Sequence, residues 1–162
     1  MEYNRVKLST FFYVLVWRHF VAWRTRLFER IADGEYDHQR ARIDKLIRSK
    51  PTPPKLSAWY RKNYIEYIPE RIDNIKTPES FLQDGGGDCD DFVEFALEVL
   101  VPGGYRCRRL YLSGSEPSHV VLVADRGGVY FIMDTYACYE VNTLEEALLY
   151  FVDDGLDEFL LI

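Results

Sequence analysis

Cys89 stands one residue behind three glycines, Gly85-Gly86-Gly87, at the head of a stretch in which Phe92, Phe95, Ala96, Val99 and Leu100 recur at helical spacing. That spacing predicts a helix that starts at the cysteine. A helix N-terminus favours negative charge through its dipole and its unsatisfied N–H groups, so it favours the thiolate, which is the nucleophilic form. Asp88, Asp90 and Asp91 act in the opposite direction, because their charge disfavours another anion beside them. An imidazolium partner is then needed to hold the thiolate. Without such a partner, a cysteine in this place reads equally well as a small buried hydrophobe.

Three histidines are available: His19, His38 and His119. The first two lie in a basic N-terminal part, whereas His119 opens an apolar run that reads as a strand, His119 to Val123. Asp125-Arg126-Gly127-Gly128 reads as the turn into a second strand, Val129 to Met133. A hairpin centred between Arg126 and Gly127 would set Asp134 directly across from His119, with Cβ atoms ~5 Å apart. A carboxylate in that position orients the imidazole and stabilises its protonated form. Taken alone, the pair reads more readily as an ordinary surface ion pair. The ordered combination is more specific: nucleophile at a helix start, base at a strand start, carboxylate at the end of the next strand.

The stretch TPESFLQDGGGDCDDFVEFALEVL, followed by SHVVLVADRGGVYFIMDTY, resembles the bacterial transglutaminase-like cysteine peptidases of the papain-like superfamily. That family carries a TP-E-F segment, a GG-GDC-[ED]-D-[FY] block, then H-V/M-V-L and a strand ending in LD. The match covers roughly residues 77–136. The resemblance implies an α+β fold in which a nucleophile helix packs on an antiparallel sheet. It carries over Cys89 as nucleophile, His119 as base and Asp134 as the orienting group. It also implies that Gln83, six residues before Cys89, donates to an oxyanion. Some members bind calcium through acidic residues flanking the cysteine, which would place Asp88 and Asp91 as calcium ligands, with Asp90 as a helper. No cofactor is required for the chemistry itself.

The elements that must position these groups can be read in outline. Thr77 caps a short helix with Pro78 in its first turn, ending near Gln83. Pro102-Gly103-Gly104 ends the helix that begins at Cys89, and Arg108 to Leu112 reads as a strand. Thr143 to Glu146 has the form of a capping box, which opens a helix through about Phe151. Upstream, residues 8–31, 36–49 and 56–72 read as helical, and Pro51-Thr52-Pro53-Pro54 interrupts them. Helices precede strands, the order of an α+β fold. We therefore expect a basic helical extension over residues 1–50 and a catalytic domain over residues 51–162.

Charge supports that division. Residues 1–50 hold eleven Lys/Arg against six Asp/Glu, whereas residues 51–162 hold nine against twenty. The acidic part is a poor nucleic-acid surface, since phosphate contacts need clustered Lys and Arg. The basic, apolar residues 8–31 read either as a helix packed on its own domain or as a segment that meets a membrane surface or a protein partner. The three cysteines, Cys89, Cys107 and Cys138, form no disulfide or zinc pattern, and Cys107 and Cys138 read as structural. Leu8 to Trp17 is followed by Arg18 and His19 rather than a cleavage site, so neither a signal peptide nor a spanning helix is expected. We expect a cytoplasmic protein of bacterial or phage origin.

The expected activity is that of a cysteine-dependent amide hydrolase, a peptidase or deamidase, on a protein or peptide substrate. A protein-crosslinking transamidase would use the same thioester. A binding or assembly protein that keeps the fold without the chemistry is the alternative of another class.

Overall fold

The computed structural model describes residues 37–69, 75–114, 118–152 and 156–162. The expected helix over 8–31 and His19 lie outside them. The elements, in chain order, are α1 (Asp37–Arg48), α2 (Pro53–Lys62), β1 (Glu66–Tyr67), α3 (Pro78–Gln83), β2 (Gly86–Gly87), α4 (Cys89–Leu100), β3 (Arg106–Gly114), β4 (His119–Arg126), β5 (Val129–Asp134), β6 (Ala137–Val141), α5 (Leu144–Val152) and β7 (Leu156–Leu161). The helix starts follow local chemistry. Thr77 Oγ1 accepts the Ser80 N–H at 3.3 Å with Pro78 behind it, and Thr143 Oγ1 accepts the Glu146 N–H at 3.1 Å.

Five strands form one sheet in the order β6-β5-β4-β3-β7, every pair antiparallel. The central strand β4 is buried from Val120 to Asp125, so it is apolar on both faces. On one face Val120, Leu122, Ala124 and Met133 join Ile43, Leu56, Tyr60, Phe81, Phe92 and Phe95 from the helices in a single core. On the other, Val121, Val123 and Ile132 pack with Ala147 and Phe151 of α5. The sheet is thus a middle layer, with α4 against it on one side and α5 on the other, an α+β architecture.

Aromatic rings join the helices. Phe81 and Phe92 meet edge to face at 5.0 Å between centroids, as do Tyr60 and Phe92, and Trp59 stacks on Phe95 at 5.7 Å. Each such pair adds roughly 0.5–1.5 kcal/mol beyond the area it buries. The cluster fixes α2, α3 and α4 to one another before the sheet is considered.

Two expectations are corrected. The helix read over 56–72 ends at Lys62. Asn63 closes it with its N–H on the Trp59 and Tyr60 carbonyls, and Tyr64 takes a φ of 56°. Glu66 and Tyr67 then run parallel to Gly86 and Gly87, a pairing across twenty residues that helical periodicity cannot register. The hairpin is centred between Gly127 and Gly128, not between Arg126 and Gly127: Arg126 pairs with Val129 and Leu122 with Met133. Both glycines have positive φ, 67° and 85°, which a two-residue turn of this kind demands. In addition, α1, inside the range read as an extension, contributes Ile43 and Leu46 to the main core.

Ile43 is fully buried. Ile43→Ala is therefore expected to lower stability by about 2–5 kcal/mol, read as a fall in the midpoint of urea unfolding. An unchanged midpoint would show that α1 is dispensable to the core.

Candidate active site

The N-terminus of α4 is built around two carboxylates. Asp88 is its N-cap: Oδ1 accepts the Asp90 N–H at 3.2 Å, while Asp91 Oδ2 reaches back to accept the Asp88 N–H at 3.2 Å, completing a capping box. Asp91 Oδ1 also accepts the Lys76 N–H at 2.7 Å. Asp91 is buried, and burial pushes its carboxyl up to about 7 against the pull of those N–H donors. Gly86 and Gly87 allow this packing. A Cβ on Gly87 would fall 2.1 Å from Asp91 Oδ2, and one on Gly86 would fall 1.9 Å from the Glu66 carbonyl oxygen. The parallel β1–β2 pairing and the capping box therefore both require the glycine run.

This frame presents Cys89, half-buried, as the first residue of α4. Its Sγ lies 4.0 Å from Asp90 Oδ1. His119 opens β4 and is partly open to solvent; its Nε2 is 2.8 Å from Asp134 Oδ1. Burial opposes a charge on the imidazole. The hydrogen bond to Asp134, the Asp134 charge and the nearby Cys89 sulfur outweigh it and push His119 up to about 10. With Nε2 on Asp134, Nδ1 is the ring nitrogen left for the thiol. The thiol, imidazole and carboxylate singled out from sequence are thus brought together. The corrected register moves Asp134 two residues along the strand from the position opposite His119. A two-residue shift leaves a side chain on the same face, so the pair meets diagonally rather than directly.

Asp134 is held from outside the sheet. It ends β5 before the Thr135–Tyr136 turn, where Thr135 takes a φ of 40°. Ser57 Oγ and Arg61 of α2 both donate to the Tyr136 carbonyl oxygen, and the Tyr136 ring packs edge to face on Phe92 of α4 at 5.5 Å. The helix that carries the thiol and the turn that follows the carboxylate are therefore in direct contact.

Gln83 sits at the end of α3 and is exposed. Its Oε1 accepts from Gln39 Nε2 at 3.1 Å, and Gln39 Oε1 accepts from Arg42 at 2.9 Å. This chain from α1 leaves the Gln83 amide nitrogen, a donor, as the remaining end. Periodicity also missed Tyr67. It pairs with Gly87, and its phenol is pushed up by partial burial and then by the charges of Cys89, Asp88 and Asp134, which places it at the mouth of the site. Only the non-local pairing of β1 brings it there. Cys107 and Cys138 are both pushed up to about 12 by burial, and among the described residues no histidine acts on either of them as His119 and Cys89 act on each other. Among the described residues, no cluster of three or more His, Cys, Asp or Glu side chains is arranged to hold a metal ion.

A raised imidazole pKa means that the folded chain holds a proton which the unfolded chain releases near 6.5. The stabilisation from His119 is full below that pH and is lost as pH rises through about 10. The urea midpoint of wild type relative to His119→Gln is therefore expected to fall between pH 6.5 and 10, and Asp134→Asn should move the imidazole titration seen by NMR back toward 6.5. A pH-independent difference would contradict the geometry.

No protein-family model and no curated protein matches the chain. Among solved structures, calcium-bound LapG of Legionella pneumophila superposes over 70% of this chain and 72% of its own, with a TM-score of 0.51 and 23% identity. A candidate cysteine protease from Cytophaga hutchinsonii matches over 58% of this chain and 37% of its own, with a TM-score of 0.46 and 18% identity. The likeness to LapG fits the α+β, transglutaminase-like fold.

Proposed function

We propose that this chain is a cysteine-dependent amide hydrolase, a peptidase or deamidase, that works through Cys89, His119 and Asp134. The observation that carries the proposal is the 2.8 Å pairing of His119 Nε2 with Asp134 Oδ1, in the neighbourhood of the thiol at the head of α4. In this reading His119 takes the Cys89 proton and the thiolate attacks an amide carbonyl. The resulting oxyanion is met by the Cys89 N–H, which is not among the N–H groups taken by the Asp88 and Asp91 caps, and by the Gln83 amide. The His119 imidazolium then protonates the departing amine, leaving a thioester. Water, deprotonated by His119, adds to the thioester and releases the acid and the free thiol. An amine in place of water would give transamidation.

The substrate class is a protein or peptide, in keeping with the protease fold. No helix among the described residues is long and apolar enough to cross a membrane. Free Cys107 and Cys138 suit a reducing compartment, and we place the protein in the cytoplasm. The LapG structure is calcium-bound. In this chain the two oxygens of Asp91 already accept backbone N–H groups, and Asp88 caps α4, so this pair does not fit a calcium ion as it stands. No step here is routed through a metal.

Incubation with a complex peptide mixture, followed by mass spectrometry for new termini and for glutamine-to-glutamate conversion, tests the reading. Cys89→Ala is expected to remove at least roughly 10⁴-fold of the rate, and Gln83→Ala about 10²-fold. Turnover that survives Cys89→Ala would sink the proposal.

A further inference from the structure

The acidic turn in front of Cys89 already contains a cation. Lys76 Nζ donates to the Gly86 carbonyl oxygen at 3.1 Å and lies 3.3 Å from Asp84 Oδ2 and 4.0 Å from Asp91 Oδ2. Its side chain is 10% exposed, and that of Asp91 is 0% exposed. A carbonyl and two carboxylates converging on one positive centre is the kind of oxygen set that a hard divalent ion takes in an acidic loop. Here the centre is an ammonium. The same residue holds Asp91 a second time through its backbone, where the Lys76 N–H donates to Oδ1 at 2.7 Å.

The consequences run straight to the thiol. Asp91 Oδ2 caps the Asp88 N–H, Asp88 caps α4, and Cys89 is the next residue. Gly86 lies in β2, the strand that aligns β1 and Tyr67 with the site. Lys76 thus balances the charge of the turn and ties together its two ends, Asp84 before the glycines and Asp91 after them. A divalent ion entering here would have to expel the ammonium and share the oxygens of Asp91 with two backbone N–H donors.

We infer that the Lys76 ammonium is the resident cation of this turn and a positioning residue for Cys89, taking the place a divalent ion would otherwise fill. The inference rests on the geometry of the turn and stands whether or not the thiol cleaves a peptide.

The test reads the rate of Cys89 alkylation by iodoacetamide, located by peptide mass, so that it needs no substrate. Wild type is expected to alkylate at the same rate in chelator and in millimolar calcium. Lys76→Ala should slow alkylation about tenfold or more, and ethylammonium chloride, the excised charge on a short chain, should restore part of the rate. Circular dichroism establishes that the variant is folded. A wild-type rate that falls in chelator and returns with calcium overturns the inference. So does a Lys76→Ala rate equal to wild type, or a slowed variant that ignores the amine. Should Lys76→Ala fail to fold, calcium calorimetry on the wild type decides: no binding supports the resident ammonium, and one bound ion overturns it.

Discussion

A helix can offer a thiol at its first residue only if its N-terminal cap is built without covering the sulfur. Everything around Cys89 follows from that constraint. Asp88 and Asp91 satisfy the first turn of α4 reciprocally, and Asp91 must be buried to do so. Burying it demands bare backbone at Gly87 and a donor from Lys76. The carboxylates that disfavour a thiolate when read as isolated charges are, in the fold, the caps that place it.

The second requirement is that an imidazole and a carboxylate arrive from a different layer. The antiparallel sheet supplies them through a strand that is apolar on both faces and therefore fixed in place by two cores at once. His119 is the first residue of that strand, where a polar side chain need not be buried between the layers. The Asp134 end of the hairpin is then secured by α2 through the Tyr136 carbonyl and by the Phe92 ring of α4. The same aromatic cluster that stabilises the helical layer thus also sets the distance between the thiol helix and the carboxylate turn.

Ion pairs at the periphery have a different role. Arg40 on α1 reaches Glu79 of α3 at 3.1 Å and Glu98 of α4 at 2.8 Å. Such part-exposed pairs add little stability individually. Their geometry, together with the Gln39–Gln83 contact, instead fixes where α3 ends relative to α4, and with it the position of the Gln83 amide.

By itself the sequence determined the local features: the Thr77 cap, the α4 stripe from Phe92 to Leu100, the glycine run before Cys89, and a hairpin that keeps His119 and Asp134 on one face. These are legible because helix and strand periods, caps and turns depend on neighbours a few residues apart. The face of the His–Asp pair survived an error of two residues in register because strand side chains repeat every second residue. Only the tertiary structure decided what depends on distant backbone. The pairing of Glu66–Tyr67 with Gly86–Gly87 ends α2 early and brings Tyr67 to the site, and Asp91 and Lys76 are joined by a turn that no periodicity marks. The packing of Ile43 into the main core was likewise hidden, because a charged, half-apolar helix looks the same from sequence whether or not a neighbouring layer covers it.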